Sequence, residues 1–344
     1  MQAMKREVTP VAERGYSGFY RQEGDRIVCE LCRHYCKLKE GQTGICGVNA
    51  NEGGRLKTLV YGKVSALNID PIEKKPLYHF LPASFALSLG TVGCNFQCHF
   101  CQNWQISQTK DLSGSYEVTP EQLVEAAVEK GCETIAYTYN EPTIFYPFAR
   151  DVALLAKERG IKNVFVSNGM ETPEVIEDMK GIIDGFNIDI KSFNPDYYKK
   201  TLKGSLEGVL DTLKRLKAGG FWVECTTLIV PGDNDSDEEL TQIAEFIAKE
   251  LDPYTPWHIS AFHPDYKVTD KGFTPLETLK RAEAIGRKAG LAYIYMGNVP
   301  EDGITTCPGC GLELIVRRGY HVTKNILQNG HCPACNRAIE GVWR

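Results

Sequence analysis

The sequence predicts an α/β fold: a partial (β/α)6 barrel with a cysteine-rich N-terminal extension and a small cysteine-bearing C-terminal module. Three observations carry this expectation. Between residues 83 and 300, short runs rich in β-branched and aromatic residues alternate with stretches of helical periodicity. That rhythm is absent on either side. The 13 cysteines form three clusters, one in each region, plus the singletons Cys132 and Cys225. The expected regions are therefore 1–82, 83–300 and 301–344.

Residues 1–82 are polar, glycine-rich and weakly periodic, with little beyond their cysteines to build a core. FALSLGTV (85–92) is the first expected strand. TPEQLVEAAVEKG (119–131) follows as a helix, with Thr119 as N-cap and Pro120 at the first helical position. TIAYTY (134–139) is a strand and 142–160 a helix; NVFVSN (163–168) is a strand and 173–182 a helix. GFNIDIKS (185–192) is a strand, with a helix over 205–219. FWVECTTLIV (221–230) is a strand, and 236–252 a helix opened by a capping box of Ser236 and Glu239. WHISAF (257–262), a helix over 275–290 and LAYIYMGN (291–298) complete the series. Six strand–helix units fall two short of an eight-fold barrel, so an open barrel fits, with a doubly wound sheet as the alternative. In both, the residues just after each strand collect at one ligand-binding face.

The formal net charge of −5 and pI near 5.9 argue against a nucleic-acid partner. No apolar run approaches the ~20 residues of a membrane span. The opening MQAMKREVTPVAERGY lacks the apolar segment of a secretory signal. A cytoplasmic location is therefore expected. Thiols stay reduced there, so the cysteines point to metal rather than disulfides.

GCNFQCHFCQNW (93–104) sets Cys94, Cys98 and Cys101 in a C-x3-C-x2-C loop directly after the first barrel strand. Three thiolates leave one iron of a [4Fe–4S] cubane open, and an open position is what chemistry needs. Phe100 would shield such a cluster from water. The alternatives are three buried thiols, or a zinc site borrowing His99.

CNFQCHFC resembles the signature of the radical S-adenosylmethionine (SAM) superfamily. The resemblance implies a radical SAM barrel in which the open iron chelates SAM. It further implies that reductive cleavage yields a 5′-deoxyadenosyl radical that abstracts hydrogen from a substrate. YTYNEPT (137–143) is similar to the family's segment contacting the SAM amino group, with Glu141 in the acidic position. Tyr139-Asn140 stand where the family carries Gly-Gly. A helix N-terminal acid is the other account of Glu141. Ser167 and Asn168 in VSNG are candidate contacts to the SAM ribose or carboxylate, or an ordinary polar turn. Asp189 and Lys191 share one strand face; an Asp-x-Lys lies near SAM in the glycyl-radical-enzyme activases, and a structural ion pair is the alternative. LIVPGDND (228–235) resembles an element of that branch that packs the adenine. His263 is a candidate SAM or substrate contact, or a structural histidine.

CPGC (307–310) and CPAC (332–335) set Cys307, Cys310, Cys332 and Cys335 as a zinc-ribbon or rubredoxin-like quartet, with zinc preferred because nothing here needs an open position. Cys29, Cys32, Cys36 and Cys46 follow C-x2-C-x3-C-x9-C and suit zinc or an auxiliary iron–sulfur cluster, with His34 a spare ligand. Together with DPIEKKPLYHF (70–80) and ISAFHPDYK, these motifs resemble the AmmeMemoRadiSam system radical SAM enzymes, a family similar to pyruvate formate-lyase activating enzyme. That likeness implies a flavodoxin or ferredoxin-type electron donor and AMMECR1-like and Memo-like partner proteins. The expected function is a radical SAM enzyme of unassigned substrate. The alternatives are an activase forming a glycyl radical on a partner protein, a metal-stabilised SAM-binding scaffold without radical turnover, and a SAM methyltransferase. The last needs a Gly-rich loop where the cysteines stand.

Overall fold

A computed structural model describes residues 7–344. Its main sheet opens with β1 (Ala66–Pro71), antiparallel to β2 (Phe85–Gly90). β3 (Thr134–Tyr137), β4 (Lys162–Ser167), β5 (Gly185–Asp189), β6 (Trp222–Ile229), β7 (Trp257–Ala261) and β8 (Ile294–Gly297) follow, each parallel to its predecessor. Spatial order equals chain order, so there is no point where the winding reverses. This excludes the doubly wound alternative. β1 and β8 are unpaired edges, so the barrel is partial and open.

The connecting helices are α1 (Pro120–Glu129), α2 (Tyr146–Glu158), α3 (Pro173–Met179), α4 (Leu206–Ala218), α5 (Asp237–Phe246) and α6 (Leu276–Ala289). Right-handed crossovers set them on one face of the sheet. α1 begins with a complete capping box between Thr119 and Gln122. The box expected at Ser236 is only half made. Ser236 Oγ accepts from Glu239 N at 3.2 Å, but the Glu239 carboxylate turns to the loop after β5 and accepts from Phe193 N at 2.6 Å. A tertiary contact has captured the side chain that local capping would use.

Residues 7–82 hold more structure than the sequence predicts. Two three-stranded antiparallel sheets form here: Tyr20–Glu23, Arg26–Cys29 and Lys37–Leu38, and Tyr16–Ser17, Asn49–Glu52 and Arg55–Thr58. Phe19, Ile27, Leu31, Leu38, Val48 and Leu56 are buried in the same apolar cluster as Leu87, Ile135 and Phe165 of the barrel. The expectation of little core in this region is corrected. Its apolar residues come singly or in pairs between turns, which leaves no periodicity to read.

After β8 come β9 (Gly303–Thr306), β10 (Glu313–Arg318) and β11 (His321–Asn325), an antiparallel sheet with its own apolar cluster around Leu314 and Ile315. Arg317 of β10 is wholly buried. It donates to Tyr78 O at 2.6 Å and Thr305 Oγ1 at 3.0 Å, and its guanidinium lies 4.4 Å from the Tyr78 ring centroid. That arginine ties the C-terminal sheet to the segment between β1 and β2. Among the described residues, no helix is long and apolar enough to cross a membrane.

Candidate active site

The loops after β2 to β5 and the last residues of β6 to β8 surround a cavity of about 660 Å³. Parallel strands in sequential order deliver this convergence, since every strand ends at the same rim. Cys94, Cys98 and Cys101 line it, as do Glu141, Ser167, Asn168, Asp189 and Lys191. Residues up to 97 apart in sequence thus meet in one place.

The cysteine loop is held by backbone bonds to three other segments and by one within itself. Gly93 N donates to Ile106 O, Gln97 N to Leu202 O, Lys267 N to His99 O, and Cys101 N back to Cys98 O. Gly93 sits at φ +85°, and a Cβ there would lie 2.6 Å from Cys46 O, so only glycine fits. Phe96 and Phe100 are buried beside Cys98. His99 is exposed, which removes it as a fourth ligand facing the cavity. Burial pushes the Cys94 thiol well up, with the Glu141 charge adding to it. Burial likewise pushes Cys98 up to about 12, against the pull of the Lys191 cation. Thiols so placed ionise when a metal takes the proton's place.

Tyr139 and Asn140 explain how this chain manages without a Gly-Gly pair. Tyr139 adopts φ +70°, a conformation that favours glycine. It is held there by its hydroxyl, which donates to Asp70 at 2.7 Å, and by Lys75 Nζ, 4.6 Å from its ring centroid. Asn140 donates to Gly93 O at 2.8 Å and accepts from Thr91 N at 3.1 Å, stitching the end of β3 to the residues before Cys94.

Glu141 caps the short 3₁₀ turn Pro142–Phe145 that precedes α2, accepting from Thr143 N at 3.0 Å. It also accepts from Asn168 N at 2.8 Å and Ser167 Oγ at 3.0 Å. Ser167 Oγ is 2.6 Å from a second buried carboxylate, Glu171, which the sequence did not flag. Burial, and then the neighbouring Glu171 charge, raise Glu141. Two carboxylates this close do not both ionise readily at neutral pH. Asn168 donates to Asn95 Oδ1 at 2.7 Å, and its own Oδ1 is buried without a partner. Lys191 Nζ is 2.7 Å from Asp189 Oδ2. Burial opposes the lysine's charge, but Asp189 and Cys98 outweigh it and raise its pKa.

His263 is not brought to the cavity. His258 and Ser260 of β7 line it, and Ile259 and Ala261 face the apolar core. His263 lies two residues past the end of β7 and packs with its ring centroid 6.3 Å from that of Phe273 instead. The histidine at the cavity is His258, whose Nε2 is 2.7 Å from the buried Glu224 carboxylate. Glu73, Lys74, Lys75, Pro76 and Tyr78 form another part of the cavity wall, and Lys75 pairs with Asp70 at 2.7 Å. A Glu-Lys-Lys run between two prolines was the sequence signal for that wall.

Two further cysteine sets stand outside the cavity. Cys307, Cys310, Cys332 and Cys335 place all four sulfurs within 4.8 Å of one another, a spacing that suits a tetrahedral mononuclear ion. Cys29, Cys32 and Cys46 are buried and Cys36 partly so. Cys132 and Cys225 are buried singly.

The sequence model of the Radical SAM superfamily matches residues 88–247. An uncharacterized protein of Methanocaldococcus jannaschii is 44% identical over 328 residues, covering 94% of this chain and 98% of that protein. The pyruvate formate-lyase-activating enzyme of Clostridium pasteurianum is 27% identical over 207 residues, covering 56% of this chain and 85% of the enzyme. Among solved structures, Streptococcus suis SuiB bound to S-adenosylmethionine is similar in fold, with a TM-score of 0.50 at 13% identity, over 66% of this chain and 53% of SuiB. The chain belongs to the radical SAM superfamily and carries a radical SAM domain homologous to the pyruvate formate-lyase-activating enzymes.

Proposed function

We propose that Cys94, Cys98 and Cys101 hold three irons of a [4Fe–4S] cluster and that SAM takes the fourth. The three-cysteine loop at the cavity rim carries this proposal. The donor set fits the group. Among the described residues no fourth cysteine lines the cavity, and Asn168 Oδ1 beside the loop is a buried acceptor lacking a donor. When bound, the cluster and SAM supply one-electron cleavage of the sulfonium and a 5′-deoxyadenosyl radical that takes hydrogen from the substrate.

The chain's own residues prepare the place. Lys191, kept cationic by Asp189, offers its ammonium to a carboxylate. Asn168 offers an acceptor to an ammonium or hydroxyl. Glu141, Ser167 and Glu171 act one step back, locking the turn that presents Asn168. Phe96 and Phe100 keep water from the thiolates. The part of the wall formed by Lys75, Tyr78 and His258 suits a small polar substrate. Glycyl-radical formation on a partner protein is the second reading, favoured by the similarity to the Clostridium pasteurianum enzyme. A flavodoxin or ferredoxin-type donor fits the superfamily's need for single low-potential electrons. The combination of DPIEKKPLYHF with three cysteine sets supports AmmeMemoRadiSam membership, with AMMECR1-like and Memo-like proteins as candidate partners.

The test is 5′-deoxyadenosine formation from SAM by the anaerobically reconstituted, chemically reduced protein. Product is expected. A protein that holds the cluster yet neither binds nor cleaves SAM would sink the proposal.

We also infer one zinc at Cys307, Cys310, Cys332 and Cys335. Cys310→Ser should remove that zinc and loosen the C-terminal sheet, lowering the melting temperature by several degrees through loss of metal-linked folding energy. Unchanged zinc content by elemental analysis would refute the assignment.

A further inference from the structure

The N-terminal cysteine quartet lies against the candidate catalytic loop. His34, two residues after Cys32, has Nε2 2.9 Å from the backbone oxygen of Asn95, the neighbour of Cys94. From the other side, Cys46 O packs so tightly on Gly93 that a Cβ there would stand 2.6 Å away. Two direct contacts therefore join the two cysteine loops, each within two residues of a thiol on either side.

The sulfur spacing separates this quartet from the C-terminal one. Four thiolates around a single zinc or iron, at about 2.3 Å each, sit about 3.8 Å apart. Among the described residues, the C-terminal quartet is the one group of three or more histidine, cysteine or carboxylate side chains whose ligand atoms gather as a single ion needs. The N-terminal quartet is not such a group, which favours a polynuclear cluster there over a single ion. Their surroundings suit a redox group as well. Leu31, Val48 and Phe19 bury the set on the inner side, and Asn49 Nδ2 approaches Cys46 Sγ at 3.6 Å, a contact of the kind that tunes cluster potential. On the outer side Cys36 is partly exposed, and Ile45 beside Cys46 is 37% exposed, so the quartet also reaches the surface.

We propose that Cys29, Cys32, Cys36 and Cys46 hold a second iron–sulfur cluster that relays single electrons from a protein donor to the cluster at Cys94, Cys98 and Cys101. The existence of the second cluster stands on the N-terminal residues alone; its role as a relay rests on the function proposed above. In each transfer, flavodoxin hydroquinone loses one electron and becomes the semiquinone. The second cluster gains that electron, then loses it to the first, so it returns to its starting state.

The experiment separates the two proposals. A Cys94→Ala/Cys98→Ala/Cys101→Ala chain, reconstituted anaerobically, is expected to keep about four irons per chain and a reducible cluster signal by electron paramagnetic resonance. A second zinc in this chain, with no iron, overturns the inference and leaves the catalytic proposal standing. The relay is read in Cys29→Ala/Cys32→Ala. SAM cleavage driven by reduced flavodoxin should fall at least tenfold further than cleavage driven by dithionite, which reaches the catalytic cluster without a protein donor. Equal loss with both reductants overturns the relay. Wild-type protein that binds iron only through the N-terminal set would defeat the catalytic proposal and not this one.

Discussion

In Cys98→Ala, 5′-deoxyadenosine formation will fall to background while the metal-free chain keeps its fold. Cys98 is 7% exposed and packs beside Phe96 and Phe100. Removing its sulfur leaves a cavity smaller than an isobutyl-to-methyl truncation makes, so the cost is about 1 kcal/mol. Cys98 belongs to the same apolar cluster as Leu87, Ile135 and Phe165, but it is one small side chain among many larger ones, so the cluster stands without its sulfur. Two thiolates, by contrast, leave a second iron of the proposed cluster without a protein ligand, and the cluster is lost. The measurement is product formation beside iron content, with melting of both metal-free chains as the folding control. Turnover at the wild-type rate would refute the ligand assignment. Lys191→Met makes the companion measurement: iron should stay, because Lys191 bonds Asp189 and no cysteine by hydrogen bond, while SAM affinity weakens.

The strands of the parallel sheet were legible because each is a short apolar run bounded by polar turns, and their boundaries shift by three residues at most. β1 was not legible. Its Leu67-Asn68-Ile69-Asp70 alternates over only four residues, and the alternation is inverted, with Leu67 and Ile69 exposed at the open edge and Asp70 buried. In the site, chemistry carried by local spacing could be read: three cysteines on one loop, and Asp189 with Lys191 two apart, which meet at 2.7 Å. Chemistry carried by partners distant in sequence could not. Glu141 meets Ser167, and Asn95 meets Asn168, pairings that only the sheet order creates; Glu171 gains its part through Ser167. Glu141 shows a mixture. Its position after β3 was read correctly, but both of its oxygens are engaged by the protein's own donors, so capping and site architecture are one function here.

Glu224→Ala should be the most destabilising single substitution away from the cysteines. Glu224 is wholly buried in β6. One carboxylate oxygen accepts from His79 N at 2.8 Å and Trp222 Nε1 at 3.0 Å; the other accepts from Tyr78 N at 3.0 Å and meets His258 Nε2 at 2.7 Å. Burial alone would raise this carboxyl, but His258 and the other donors hold it below its usual range, so it is ionised in the folded state. Truncation strands four polar groups in a site closed to water. The cost is about 3–5 kcal/mol, the range for breaking a buried charged network. A chain of this size should then melt roughly 5–10 °C lower. Glu224→Gln should fall in between, because its amide end must face two donors whichever way it turns. The effect reaches the cavity, since Tyr78 ends the Glu73–Tyr78 wall and its backbone oxygen also receives Arg317 from β10. The cysteine loop makes none of these bonds, so iron content should be unchanged in soluble Glu224→Ala. Thermal melting of the two variants decides the matter: an alanine variant within about 1 kcal/mol of wild type would mean that water or a rearranged His258 satisfies the cage.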